Sequence, residues 1–123
     1  MNITLFPGKL HGSVRIIPSK SQAHRLLICA AFADGPTTLL CSESNRDIEA
    51  TVGCLCAIGA NVQKTDTGYH IIPIKDLPTH ATLFCGESGS TLRFLLPVVG
   101  ALVNSSKEAV KPFVAAKPSF DFM

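Results

Sequence analysis

Two short stretches combine cations, hydroxyls and glycines at the start of an apolar run. The first, "PSKSQAHR", brings together Lys20, Ser21, His24 and Arg25. The second, "CGESGSTLRFLLP" from Cys85 to Pro97, again places an arginine inside the first turns of the apolar run. A helix N-terminus exposes free N–H groups and the positive end of the helix dipole. Both stretches therefore predict a helix start that binds phosphate or carboxylate.

The residue types in each stretch suit an anion. Arg25 follows Ser21 by four residues and so shares its side of a helix. Arginine can hold a phosphate or carboxylate with two parallel hydrogen bonds, and Lys20 adds a mobile point charge. Gly86 and Gly89 let a ligand approach the backbone, because no Cβ intervenes. Further hydroxyls come from Ser88, Ser90 and Thr91.

Each of these features also has an ordinary structural interpretation. Ser21 can simply cap a helix, and many solvated helices carry Lys and Arg. Gly86 and Gly89 can simply permit a tight turn. His24 has no acidic or cysteine neighbour in sequence and is interpreted as a surface or packing histidine. No ligand spacing is seen at His11, His70 and His80.

The composition favours one globular domain and argues against several other classes of protein. The 123 residues suffice for one core, and 46% hydrophobic against 16% charged residues argues against disorder. No apolar run approaches the roughly 20 residues needed to span a bilayer. The N-terminus does not resemble a secretory signal. The net charge of +2, without a basic stripe, does not favour nucleic-acid binding.

The cysteines predict buried, reduced thiols of a cytosolic protein. Their number is odd, and each lies among aliphatic residues. Only one residue separates Cys54 from Cys56, which is not the usual zinc spacing. A redox or metal role is the alternative. The five positions are Cys29, Cys41, Cys54, Cys56 and Cys85.

The elements that must position the two stretches alternate between strand and helix. They are, in chain order, one or two short strands within Thr4–Ile17, a helix from Gln22 to about Ala33, a strand Thr37–Cys41, a helix Arg46–Ile58, a hairpin around Asp66–Gly68, a strand Ala81–Cys85 and a helix from about Ser90 to Val103. This order predicts an α/β fold whose helices pack on one face of a small mixed sheet.

Caps and breakers set the boundaries of the helices. We expect Ser21 to cap the first helix and Ser44 or Asn45 the second. Glycines that follow the periodic segments, Gly35 and Gly59, are the expected stops. Pro97 lies inside the third helix and should kink it.

The three segments "PSKSQAHRLLICAAFADGPTTL", "RDIEATVGCLCAIGANV" and "CGESGSTLRFLLP" resemble the N-terminal part of the EPSP synthase family (3-phosphoshikimate 1-carboxyvinyltransferase). The resemblance covers Thr4 to about Leu102. It implies the β-α-β-α-β-β unit of the enolpyruvyl transferase fold. The sister transferase that acts on a UDP-sugar is similar in fold, but typically has Lys-Asn where this chain has "KSQAHR".

The resemblance implies an activity that the residues alone do not name. The family transfers the enolpyruvyl group of phosphoenolpyruvate to the 5-hydroxyl of shikimate 3-phosphate, through a tetrahedral intermediate, and releases phosphate. This step serves chorismate and aromatic amino-acid biosynthesis in the cytoplasm. No metal or organic cofactor is implied, and the two substrates are the expected partners, with no nucleic acid or membrane.

The resemblance also implies roles for particular residues. Lys20, Ser21 and Arg25 resemble the contacts to the phosphate of shikimate 3-phosphate, and Lys20 also resembles a contact to phosphoenolpyruvate. Gly89 resembles the glycine whose backbone lies against phosphoenolpyruvate, where glyphosate competes. Pro97 resembles a proline that sets the position of its helix. Two segments depart from common forms of the family, "ESGST" in place of "NAGT" and "SNRD" in place of "SDD".

Length is the larger departure from the family. Family members have two lobes of three units each, and this chain holds about one unit and the start of the next. We therefore expect an N-terminal fragment that is inactive alone, contains no catalytic acid or base and has the remainder of the enzyme as a partner. A non-catalytic α/β module that binds a phosphorylated metabolite or a partner chain is the alternative.

The C-terminal segment does not continue the pattern of the family. We divide the chain into residues 1–103, a partial N-terminal region, and residues 104–123, a tail of uncertain origin whose "KPSFDF" faintly resembles the C-terminal end of the family. Prolines make a long helix there improbable. Its apolar residues favour docking as an extended strand on a bare sheet edge, with Phe113–Phe120 as the expected segment.

Overall fold

A computed structural model describes residues 2–4, 6–9, 11–14, 19–105 and 111–116. Its elements are, in chain order, α1 (Lys20–Ala31), β1 (Thr37–Leu40), α2 (Arg46–Ala57), β2 (Asn61–Thr65), β3 (Gly68–Ile72), β4 (His80–Gly86), α3 (Gly89–Ser105) and β5 (Lys111–Ala116). The α/β class and the predicted order of elements from α1 to α3 are confirmed.

The described strands form two sheets rather than the single mixed sheet that was expected. An antiparallel sheet has the order β1-β3-β2, and β4 pairs with β5 in parallel. The hairpin turn between β2 and β3 consists of Asp66 and Thr67. The segment between β3 and β4 carries Pro73 and Pro78, and proline cannot donate to a strand ladder. This segment separates the two sheets.

The described residues that precede α1 contain no strand, so the prediction of strands within Thr4–Ile17 is wrong for them. Ile3, Phe6 and Val14 are exposed there. A strand needs hydrogen bonds to a neighbouring strand, and none of the described ladders includes these residues. Residues 5, 10 and 15–17 of the predicted segment lie outside the described part.

The core lies where the helices meet each other and the strands. Helix α1 packs on α2 and α3, and α2 packs on β4. Strand β4 alternates, with every second side chain buried. Among the largest fully buried side chains are Leu27, Ile48, Leu55, Tyr69, Ile71, Leu83 and Leu95. In the described part of the chain, no helix combines the length and apolar character needed to cross a bilayer.

The cysteines are less buried than the sequence predicted. All five are free thiols, but only Cys54 and Cys85 are buried, and Cys29 and Cys56 are exposed. Cys56 lies two residues after Cys54 and therefore on the opposite side of α2. Cys29 likewise lies two residues after the buried Leu27 in α1. Local apolar composition did not reveal which side of each helix the thiol occupies.

The predicted docking of the C-terminal segment is confirmed for the part of it that the structure describes. Strand β5 runs along β4, from the pair His80 and Lys111 to the pair Gly86 and Ala116. Residues 117–120 of the predicted segment lie outside the described part. In the described ladders β5 is an edge strand, which is where the proline of its sequence, Pro112, is tolerated.

Candidate anion-binding site

Helix α1 starts earlier than the sequence predicted. Its N-cap is Ser19, whose Oγ accepts a hydrogen bond from the backbone N–H of Gln22 at 3.4 Å. The prediction that Ser21 is the cap is therefore wrong, because Ser21 already lies in the first turn. Its exposed side chain is not used to cap the helix. The helix ends at Ala31, before the predicted stop at Gly35.

Helix α2 places a carboxylate beside Lys20. Asn45 caps this helix, and its side-chain oxygen accepts from the N–H of Asp47 at 3.0 Å and of Ile48 at 3.1 Å. Asp47 Oδ2 lies 3.0 Å from Lys20 Nζ, and these side chains are 34% and 50% exposed. An ion pair in solvent is worth about 0–1 kcal/mol. The pair thus orients Lys20 while leaving its charge accessible to an anion.

Helix α3 begins at Gly89, one residue before the predicted start. Ser88 acts as its cap, since Ser88 Oγ accepts from the N–H of Thr91 at 3.2 Å and Ser88 O accepts from the N–H of Leu92 at 3.2 Å. A Cβ added to Gly89 would meet no heavy atom within 4 Å. The glycine is therefore not required by packing in this structure. It leaves open space beside the first exposed N–H groups of the helix.

Arg25 links the start of α1 to α3. Its guanidinium carbon lies 5.5 Å from the centroid of the Phe94 ring, a cation–π distance. Arg25 remains exposed. Stacking on a ring leaves the edge of a guanidinium free to donate hydrogen bonds. Arg25 is thus held in position without losing its capacity to bind an anion.

A buried chain of hydrogen bonds lies behind these residues and joins the three helices. His24 Nδ1 lies 2.7 Å from Thr51 Oγ1, which lies 2.8 Å from Thr91 Oγ1. Thr91 Oγ1 lies 2.7 Å from Ser88 Oγ and 3.1 Å from the carbonyl oxygen of Asp47. We call these four side chains, of His24, Thr51, Thr91 and Ser88, the polar junction. It connects the helix of Lys20, Ser21 and Arg25 to the helix start that holds Gly89.

His24 packs in the interior, which is one of the two roles expected of it. It is 1% exposed, and its desolvation there lowers its pKa, so the imidazole is neutral at pH 7. Its position next to Ala23, one turn before Leu27, was the available signal. The sequence analysis did not identify Thr51, although it lies one turn after the buried Ile48 of α2.

A cavity next to the start of α3 includes Gly86 and Ser88 of the second stretch among its lining residues. It has a volume of about 510 Å³, and its lining includes Asp47, Glu49, Glu87 and Arg46. The carboxylates outnumber the arginine, so this cavity repels an anion more than the start of α1 does. Lys20, Ser21, Arg25 and Gly89 are not among its lining residues. The chemistry of the helix starts, rather than cavity volume, locates the candidate site.

Within the residues that the structure describes, no group of three or more His, Cys, Asp or Glu side chains could hold a metal ion.

Known proteins similar to this chain share one description. Residues 6–110 match the family described as EPSP synthase (3-phosphoshikimate 1-carboxyvinyltransferase). A 3-phosphoshikimate 1-carboxyvinyltransferase of Clostridium botulinum is 41% identical over 93% of this chain and 28% of its own length. Proteins of the same name from Clostridium beijerinckii and Clostridioides difficile are 39% and 34% identical, each over 79% of this chain. The chain spans about a quarter of the length of these relatives.

Proposed function

Because this chain belongs to the EPSP synthase family, we propose that it supplies part of the shikimate 3-phosphate and phosphoenolpyruvate site of a 3-phosphoshikimate 1-carboxyvinyltransferase. In the reaction, the 5-hydroxyl oxygen of shikimate 3-phosphate adds to C2 of phosphoenolpyruvate while C3 gains a proton. C3 then loses one proton while phosphate leaves C2, which restores the double bond and gives the enolpyruvyl ether. We place the enzyme in the cytoplasm, in the synthesis of chorismate and aromatic amino acids.

The proposed roles divide between two helix starts. Lys20, Ser21 and Arg25 of α1 bind the phosphate of shikimate 3-phosphate, and Lys20 also reaches phosphoenolpyruvate. The backbone at Gly89 of α3 lies against phosphoenolpyruvate. Both substrates are rich in phosphate and carboxylate, so cations and helix N-termini stabilise them and the charge that develops on them. We assign no proton transfer to this chain, since those groups belong to the remainder of the enzyme.

One observation carries the proposal. The residues assigned to the two substrates lie at two helix starts that the polar junction connects, and the family match includes both of them. Lys20 is held by Asp47 and Arg25 by Phe94, so neither cation is randomly oriented. This supports a common site for the two anionic substrates.

A titration with a matched control tests the binding site. Shikimate 3-phosphate added to isotope-labelled chain should shift the backbone amides of Ser21 to Arg25. The variant Lys20→Ala should reduce these shifts. Lys64→Ala is the control, because Lys64 makes a similar surface ion pair, 2.8 Å from Glu49 of the same helix α2. Equal effects of both variants, or shifts confined to another part of the chain, would contradict the assignment.

Complementation separates the proposed function from a non-catalytic module. The chain alone should release no phosphate from the two substrates, because it spans about a quarter of its relatives. Adding the separately produced remainder of the Clostridium botulinum relative should restore release, at a rate that either part alone does not reach. If the chain binds shikimate 3-phosphate but the mixture stays inactive, the non-catalytic module is the better description. Release by the chain alone at about 1–10³ per second would refute the proposal.

A further inference from the structure

We propose that His24 is a positioning residue of the anion-binding site, which acts through the polar junction to fix the start of α3 relative to the start of α1. This inference rests on the proposed function for its role in binding. Its structural basis is independent of that function. His24 neighbours Arg25 in α1, and the polar junction extends from its imidazole to Ser88, the residue before Gly89.

The hydrogen-bond partners determine which imidazole nitrogen carries the proton. Thr91 is the donor in its contacts with the carbonyl oxygen of Asp47 and with Ser88 Oγ, so the single proton of its hydroxyl is directed to these two acceptors. The hydroxyl of Thr51 must then donate to Thr91 Oγ1, since each hydroxyl has one proton. Thr51 Oγ1 in turn accepts from His24. The neutral imidazole therefore has its proton on Nδ1, and the whole chain is oriented in one direction.

Packing alone does not account for a histidine at this position. The other ring nitrogen, Nε2, is buried and has no hydrogen-bond partner among the residues that the structure describes. A buried polar atom without a partner destabilises a fold, and an apolar side chain of similar volume would avoid that loss. The contribution of His24 is then its Nδ1–H, which donates a hydrogen bond to Thr51. Because this bond orders a junction between helices, it gives His24 a positioning role.

The ring of His24 also contacts the residue beneath Arg25. Its centroid lies 6.0 Å from that of Phe94 at an interplanar angle of 47°, and Phe94 is the ring under the Arg25 guanidinium. The imidazole thus contacts α2 through its nitrogen and α3 through its ring. Charging the ring would place a buried cation near Lys20 and Arg25, with Asp47 as the nearby carboxylate. His24 can therefore act as a positioning residue only while its imidazole is neutral.

The first test needs no ligand and no variant. Nitrogen NMR of the labelled imidazole at pH 7 should show His24 as neutral, with Nδ1 protonated and Nε2 unprotonated. A proton on Nε2 would reverse the direction of the whole chain and overturn the proposal. This result is independent of whether the protein binds shikimate 3-phosphate.

The second test breaks the junction at Thr51 with little change of volume. Thr51→Val should shift the amides of Ser88, Gly89 and Ser90, and Thr51→Ser, which retains the hydroxyl, should return them close to wild type. Unchanged amides at the start of α3 in folded Thr51→Val would refute the positioning role. Should that variant fail to fold, Thr91→Val, which breaks the next link of the same chain, replaces it with the same expectation.

The third test measures the effect on binding. Thr51→Val should weaken binding of shikimate 3-phosphate by about three- to tenfold, as expected for one lost hydrogen bond, and Thr51→Ser should restore it. His24→Leu should weaken binding similarly, and the double variant should bind no worse than either single one, because both remove the same link. Additive losses, or undiminished binding in Thr51→Val, would refute the proposal. Failure of wild type to bind would instead contradict the proposed function and leave the first two tests decisive for the junction.

Discussion

Replacing Ser19 and Ser21 one at a time with alanine should separate helix capping from anion binding. The two serines flank Lys20, and their sequence neighbourhoods are alike. Only Ser19 caps α1 in the structure, through its contact with the N–H of Gln22. Ser21 is exposed in the first turn, where its hydroxyl is available to a ligand.

The distances give the expected magnitudes. Ser19 Oγ lies 3.4 Å from the nitrogen of Gln22, which is long for such a bond, so we expect Ser19→Ala to lower the free energy of unfolding by about 0.5–1 kcal/mol. Ser21→Ala removes no cap and should change it by less than about 0.5 kcal/mol. A hydrogen bond to a charged group contributes about 1.5–3 kcal/mol. Ser21→Ala should therefore weaken shikimate 3-phosphate binding by about tenfold or more.

Two measurements on each variant test this separation. Urea unfolding followed by circular dichroism gives the change in stability, and the amide titration with shikimate 3-phosphate gives the change in affinity. We expect Ser19→Ala to lose stability while its affinity stays within about threefold of wild type. We expect Ser21→Ala to keep its stability and to lose affinity. A stability loss in Ser21→Ala that exceeds the loss in Ser19→Ala would show that the reasoning from the cap geometry is wrong.

Three further outcomes are expected. Gly68→Ala should destabilise the chain by more than about 3 kcal/mol in urea unfolding, because φ is +153° and a Cβ would collide with the backbone of β1, whereas Gly53→Ala, on an open helix surface, should stabilise it by about 1 kcal/mol. Because burial lowers the pKa of His24, the unfolded chain binds the proton more readily. Stability should therefore fall as the pH drops below about 6.5, the ordinary pKa of histidine, by up to about 1.4 kcal/mol per pH unit, and His24→Leu should lose this component. Burial raises the pKa of Cys54 to about 12, so mass spectrometry after alkylation of the native chain near pH 8 should find Cys56 labelled and Cys54 unlabelled.

The parts of the fold that follow from local patterns were predictable. Helix α2 was placed within one residue because Asn45, followed by acidic residues in the first turn, is a complete start signal. The β2–β3 hairpin was recognisable from two strands around a polar turn with a glycine beside it. These features depend on interactions between residues that are close together in the sequence, so a short segment is enough to predict them.

The polar junction was not predictable, because its bonds join residues far apart in the chain. No residue near His24 in the sequence identified a partner for it. The structure buries this histidine, because Thr51 of another helix accepts a hydrogen bond from its imidazole. Ser19 and Ser21 both satisfy the local capping rule, so the local pattern alone did not determine the residue at which α1 starts.

The spacing of the polar junction along the chain has a consequence for the order in which the protein folds. A hairpin closed by a two-residue turn forms in about 1–10 μs, so β2 and β3 can pair early. The contact between Thr51 and Thr91 joins positions 40 residues apart, and such non-local contacts close slowly. We therefore expect the anion-binding site to be absent from the folding transition state and to be completed afterwards. Shikimate 3-phosphate would then slow unfolding without accelerating refolding, since it binds the native state and not the transition state, in which the site is not yet formed.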